Sequence, residues 1–290
     1  MRARKAKEFL IERLIYLCGF ISIAFVILIF IFLIKEGGAL FKAVGLWDFL
    51  AGKEWYPISE PARFGILPLI LGSLFVTIGA ALISIPIGVA SAFYIAEVAP
   101  KGLRDVLKSG IELLAAIPSV IIGFIGMITL VPFIKHLFNL PTGLTAISGS
   151  ITLAFMAMPT IVSVAEDAIV AVPRSYKEGA LALGATYWQT IYRVIFPAAL
   201  PGIIAAVMLG VGRVIGETMA VMMVTGNAAA IPHGLLEPVR TLTATIAAEM
   251  GEVVTGSDHY HALFAIGIVL FAITFIINFI ADLSLRKVRR

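Results

Sequence analysis

Six apolar stretches, at residues 12–34, 66–96, 109–134, 145–172, 197–225 and 262–284, limit what this 290-residue chain can become. A helix that crosses the hydrocarbon core of a bilayer takes about 20 apolar residues, and each stretch supplies roughly that many or more. Inside lipid a segment must satisfy its own backbone polar groups, so such stretches fold as helices. Hydrophobic residues make up 60% of the sequence and charged residues only 14%, a balance that excludes a soluble globular domain. The expected fold is all-α and integral to a membrane, a six-helix transmembrane bundle. Cys18 is the one cysteine, so no intramolecular disulfide forms, and it gives no redox or metal signal.

The first stretch follows Arg2, Arg4, Lys5 and Lys7, as the core of a signal peptide would. It is too long for one, and KEGG rather than a small-residue cleavage site comes next, so a retained anchor helix is expected. Six spans put both termini on one side, and basic residues choose which. With cytoplasmic termini, 15 of the 22 Lys and Arg residues lie inside, 6 lie outside, and Arg213 falls within a span. The formal charge of +4 is then a topology signal, and nucleic-acid binding is rejected.

Between the fourth and fifth spans the polar island 174–197 falls in the cytoplasm on this topology. Ser175 with Glu178 has the spacing of a capping box, and Thr186 with Gln189 repeats it. Gly184 between them suits the left-handed residue that ends a helix. The spacing predicts helix, sharp turn, helix, with Trp188, Ile191 and Ile195 on one apolar face open for docking and Arg193 off it.

The fifth span contains two charges. Arg213 lies about 24 Å along the helix from Pro197 and Glu217 follows four residues later, which predicts one shared helical face. A lone charge at the bilayer centre costs at least ~2.5–3.5 kcal/mol, so the two form a structural ion pair or face a water-filled pathway. The planar fork of arginine suits a tetrahedral oxyanion, and Glu217 would hold Arg213 between anions. Glu166 and Asp167, near the same end of the fourth span as the island, are candidates for a pathway exit or a contact with the island. Glu97 and Glu112 are expected to be solvated or paired with the bases of 101–108.

On the opposite side, Trp47, Trp55 and Tyr56 in 35–65 predict a short helix along the membrane surface with interfacial anchors. The loop 226–261 carries Glu237, Glu249, Glu252 and Asp258 against Arg240 and is the surface expected to meet an external partner. His259 and His261 lack a clear third ligand and read, with His233 and His136, as surface histidines rather than a metal site. Prolines 68, 86, 118, 159 and 201 begin or kink the spans, which suits gating and static packing equally. Glycines 72, 79, 123, 126, 210, 212 and 216 are expected at close helix contacts.

Glu178, Ala180, Gly184, Val194 and Pro197 stand at the spacing of the EAA loop in membrane subunits of ATP-driven importers, with Gly179 for the second residue, Val194 for Ile and Phe196 for Leu. Together with GVGRVIGETMAV (210–221), FGILPLILGSL (64–74), ELLAAIPSVIIG (112–123) and RTLTATIAAEMGE (240–252), the chain from about residue 64 onward resembles the phosphate-importer permeases of the PstC family. The resemblance implies the type I ABC importer (MetI-like) permease fold in a prokaryotic cytoplasmic membrane. Residues 1–65 would form the anchor helix and outer segment, and 66–290 the permease core. A second permease (PstA-like), an ATPase dimer (PstB-like) holding ATP and Mg, and an external phosphate-binding protein (PstS-like) are the implied partners, beside membrane lipid. Carried over by position, Arg213 and Glu217 are the substrate pathway, and Glu178, Gly179, Ala180, Gly184 and Pro197 couple to the ATPase. The chain has no GxxxxGK[ST] phosphate loop and no nucleophile–base constellation, so no catalysis and no cofactor of its own are expected. A permease for molybdate or sulfate is the alternative within this class. An ion-coupled carrier or channel is the alternative outside it, and such carriers often show inverted repeats that are not evident here.

Overall fold

The structure, a computed structural model, describes residues 2–288. The side chains of Arg2, Arg4, Lys5, Lys7, Arg286 and Lys287, and all of Arg289 and Arg290, counted above for topology, lie outside the described part.

Helix α1 (Arg2–Leu40) leads to the short α2 (Leu46–Ala51) and a hairpin of β1 (Trp55–Tyr56) and β2 (Arg63–Phe64), antiparallel with Trp55 opposite Phe64. Then come α3 (Leu67–Phe93), extended by a π-helical turn at Tyr94–Val98, and α4 (Lys101–Ala115). Next, α5 (Ser119–Ile125) and α6 (Val131–Leu137) join through a second π turn at Gly126–Leu130. After α7 (Ala146–Val170) follow α8 (Arg174–Ala182) and α9 (Tyr187–Thr190), which a third π turn at Ile191–Ile195 continues into α10 (Phe196–Gly216). The chain closes with α11 (Met219–Val224), α12 (Leu242–Glu249) and α13 (Asp258–Val288).

Six helical stretches among the described residues are long and apolar enough to cross a membrane: Ile11–Leu40, Leu67–Val98, Ser119–Leu137, Ala146–Val170, Tyr187–Gly216 and Asp258–Ile280. Two depart from the sequence expectation. The third starts at Ser119 rather than near 109, because Pro118 precedes its first turn and separates it from α4, whose Lys101, Arg104, Asp105, Lys108 and Glu112 make a polar face. The fifth starts at Tyr187 rather than 197, because the helix opened there runs on through a π turn without a break, and it ends at Gly216 rather than 225, because the chain turns extended at Glu217. Pro86, Pro159 and Pro201 lie inside helices, and Pro68 lies in the first turn of α3.

The core runs along the α3–α7 seam, where Val76, Ala80, Leu153, Ala157 and Ile161 pack with Val214 and Val221. Small residues let the backbones approach. A Cβ on Gly79 would lie 2.3 Å from the Ser150 hydroxyl, and one on Gly210 would lie 2.4 Å from Ile161. Gly212 and Gly216 face open space within this chain, so the close packing expected of them is not found. Over residues 14–34 helix α1 carries no charge on any side and is exposed along most of that length, as lipid-facing helices are. It is pinned to α13 where Gly37 meets Ala265.

At the end of the bundle away from α8, a second core joins Leu40, Phe49, Trp55 and Phe64 to Leu242, Leu263 and Ile266. Trp55 is therefore no interfacial anchor, since only 2% of it is exposed. Its indole N–H donates to both carboxylate oxygens of Glu249 at 3.1 Å. Glu249 also takes Arg240 at 2.8 Å and His259 at 2.8 Å, so this acid is spent on internal ties rather than on the surface. Trp47 and Tyr56 are exposed, as are Glu237, Glu252 and Asp258. His261 approaches Glu36 at 3.7 Å, so the two histidines of the His-x-His pair serve different carboxylates and are partly buried, not surface residues.

Candidate functional site

The elbow between α7 and α10 is set by local chemistry. At the end of α8, Ala185 N–H bonds to the Ala180 carbonyl and Gly184 N–H to that of Leu181, a Schellman closure. Gly184 makes it feasible with φ of +83°. The next helix opens with a complete capping box, Thr186 Oγ accepting from Gln189 N–H and the Gln189 side chain accepting from Thr186 N–H. The first expected box is absent. Helix α8 already begins at Arg174 behind Pro173, which puts Ser175 inside the first turn and leaves it no end to cap.

The docking face differs from the expected one. Ile191 and Ile195 turn inward and bury against Ile95, Ala96, Ala165 and Ile169, while Trp188 stays exposed. The exposed large apolar and aromatic residues of the elbow are Tyr176, Leu181, Leu183, Tyr187, Trp188 and Tyr192. Gly179, Ala180 and Val194 line a groove beside Tyr176 and Leu183, while Glu178 is exposed and Pro197 stands exposed in the first turn of α10.

Sequence reasoning missed what fastens this elbow. Glu97, in the π turn ending α3, accepts Lys177 Nζ at 2.5 Å, and its carbonyl and carboxylate both accept the Tyr187 hydroxyl. Lys177 also lies 4.9 Å from the centre of the Tyr187 ring. Burial alone would lower the Lys177 pKa, but the hydrogen bond and charge of Glu97 outweigh it and hold the ammonium above the ordinary 10.5. These partners lie 80 and 90 residues apart in sequence, and no periodicity connects them.

Glu166 and Asp167 both bind Lys108 of α4, at 2.7 and 3.1 Å. The Glu166 hydrogen bond, then that of Asp167, raises the Lys108 pKa above 10.5. The pair thus ties α4 to α7 rather than meeting α8 or α9. Glu112 is exposed.

Arg213 sits in the last turn of α10, half-buried, with Nη1 3.4 Å from the Thr160 hydroxyl. Thr160 lies about 21 Å from the start of α7 and about 15 Å from its end, which puts the guanidinium near mid-depth. The shared face with Glu217 is lost because the helix stops between them. Glu217 caps α11 by accepting from Ala220 N–H at 3.2 Å, and its carbonyl accepts from Thr243 at 2.8 Å. Among the described residues no carboxylate forms an ion pair with Arg213.

The family described as "Binding-protein-dependent transport system inner membrane component" matches residues 84–290, more than half of the chain. The chain belongs to that family. Among its relatives, "Probable ABC transporter permease protein YqgH" of Bacillus subtilis is 42% identical over 273 residues, covering 93% of this chain and 88% of the relative. "Phosphate transport system permease protein PstC" of Mesorhizobium japonicum is 35% identical, covering 90% and 87%. The PstC of Haemophilus influenzae is also 35% identical, covering 90% of each. Two solved structures share the fold. An alginate ABC transporter bound to its pentasaccharide-loaded periplasmic protein aligns with a TM-score of 0.65 at 18% identity, over 94% of this chain and 95% of that one. The inward-facing MetNI methionine ABC transporter aligns with 0.61 at 20% identity, over 80% and 100%.

As a binding-protein-dependent inner membrane component, the chain is a multi-pass ABC importer permease subunit of the MetI-like type I fold. In this permease residues 171–186 join the fourth and fifth spans, the rest of the island 174–197 forms the first turns of the fifth, and the mid-depth cation stands near the other end of that span.

Proposed function

We propose that this permease subunit carries phosphate inward through a complex powered by ATP. The observation that carries this reading is Arg213, a half-buried cation near mid-depth whose charge no carboxylate of the described chain meets. Intramembrane charges commonly face cavities and mark substrate routes, and a guanidinium matches two oxygens of a tetrahedral anion at once. Relatives named as phosphate transport permeases, at 35% identity over about 90% of the chain, support the substrate.

In this reading the pathway forms between this chain and a second permease. An external binding protein delivers the anion to the end of the bundle that holds Glu237, Glu252 and Asp258. The elbow docks on a partner ATPase, which holds ATP and Mg, through Glu178 and the groove at Gly179 and Ala180, beside the exposed rings of Tyr176, Trp188 and Tyr192. Gly184 and Pro197 fix the bend. Both termini and the elbow lie in the cytoplasm. Glu217, fixed as a cap, shapes the break after Arg213 rather than neutralising it. This chain contributes no catalytic group.

Co-purification from the native membrane is the direct test. An ATPase and a second permease are expected to accompany the chain, and loaded binding protein should stimulate hydrolysis with phosphate. Stimulation by sulfate or molybdate instead would reassign the substrate, and uptake by the chain alone would overturn the class.

A further inference from the structure

We infer that Glu97 is a latch fastening the ATPase-facing elbow to the second span, so that movement of the elbow is delivered to α3 directly. The inference rests on the proposed docking role of the elbow. By chain connectivity the elbow pulls only on α7 and α10, whose ends it joins. Three side-chain contacts give it a third load. Lys177 from α8 and Tyr187 from α9, on either side of the Gly184 bend, converge on one residue, Glu97. The Lys177 cation also lies over the Tyr187 ring, so the three groups close on one another.

The latch is placed where it holds. The Glu97 side chain is only 12% exposed and that of Lys177 34%, so water screens the pair from the Lys177 side alone. Beside it Ile191 and Ile195 of the elbow share a buried cluster with Ile95 and Ala96 from the same π turn as Glu97. Polar and apolar contacts thus bind the same two elements. The π turn explains the aim of Glu97, since one extra residue in the turn rotates the later side chains away from the directions a regular helix would give them.

Helix α3 is a fitting load. It packs along α7 through its core residues and reaches the far end of the bundle. There the Ser73 hydroxyl accepts from Leu242 N–H at 2.9 Å, and a Cβ on Gly72 would strike the Arg240 carbonyl at 2.4 Å. Arg240 and Leu242 belong to the loop that carries the external acids. The distance from Gly72 to Glu97 along the helix is about 37 Å. One continuous element therefore runs from the elbow to the surface facing the external binding protein. Glu97, Lys177 and Tyr187 are positioning residues, since none of them touches substrate or nucleotide.

The test uses the assembled importer in vesicles, with phosphate uptake and ATP hydrolysis measured together. Glu97→Gln and Lys177→Met should keep the ATPase bound and hydrolysing, while phosphate imported per ATP falls about tenfold, within the ordinary range of coupling between sites. The exchanged pair, Glu97→Lys with Lys177→Glu, should recover most of that ratio. Uptake per ATP unchanged in Glu97→Gln, or no recovery in the exchanged pair, overturns the latch. Should the single variants not assemble, Tyr187→Phe keeps both charges and removes one hydroxyl; a lowered uptake per ATP is expected, and an unchanged ratio overturns the latch. Leu183→Asp, on the exposed face of the elbow, separates the two claims. It should release the ATPase; if the ATPase stays bound and active, the docking reading itself fails and the latch with it.

Discussion

An arginine near mid-depth without a carboxylate partner persists only where something else meets its charge. The Thr160 hydroxyl at 3.4 Å meets little of it. The expected partner was legible as Arg213 and Glu217 at helical spacing, and the spacing misled because the helix ends between them. Gly216 followed by Glu217 carried that signal in retrospect, a flexible residue before an acid that caps the next turn. Charge-assisted hydrogen bonds are worth ~1.5–3 kcal/mol, so Arg213→Gln should slow phosphate uptake roughly 10–100-fold while the ATPase still co-purifies. The Lys108 tie makes a second prediction at this scale. Its pKa is raised above 10.5 by Glu166 and then Asp167, so its contribution is complete below that value and fades as pH rises through the raised one. The difference in Tm between the parent and Lys108→Met should stay flat from about pH 6 to about pH 9 and shrink above the ordinary lysine range.

At the scale of elements, the elbow was the most legible part of the chain, and its reasons are local. Gly184 and the Thr186–Gln189 box each act within five residues, so pattern alone found them. The face that Ile191 and Ile195 present was misjudged because the residues that cover it, Ile95, Ala96, Ala165 and Ile169, come from elements distant in sequence. Glu97 escaped for the same reason, since tertiary packing brings it partners from 80 and 90 residues away. Trp55 was misplaced on similar grounds, because amphipathic rings near apolar runs read as interfacial until a partly buried carboxylate claims the indole. A branched side chain at Gly184 must adopt the left-handed region, so Gly184→Val should cost about 1–2 kcal/mol or more and loosen ATPase binding, read by co-purification yield and thermal unfolding. At the α3–α7 seam, Gly79→Leu should lower stability by about 1–3 kcal/mol through overpacking against Ser150, read by unfolding of the purified chain in detergent.

For the whole molecule, the six spans were readable because each is a long, predominantly apolar run with few charges, and their number survived the structure. Where the third and fifth begin and end was not, because proline caps and a helix break redraw apolar runs without changing their composition. The topology assigned to the complex is checked by thiol labelling in a Cys18→Ser background. Leu183→Cys should react only from the cytoplasmic side and Glu252→Cys only from the outside; the reverse pattern would put the elbow where no ATPase can reach it. The account as a whole requires that an elbow driven by a partner ATPase move phosphate past Arg213. Its most direct measurement is radiolabelled phosphate uptake into vesicles holding the purified complex, with ATP and loaded binding protein supplied on their proper sides. Uptake is predicted to require ATP and to fall roughly 10–100-fold in Arg213→Gln with the complex still assembled; uptake that continues at the parent rate without the ATPase would contradict it.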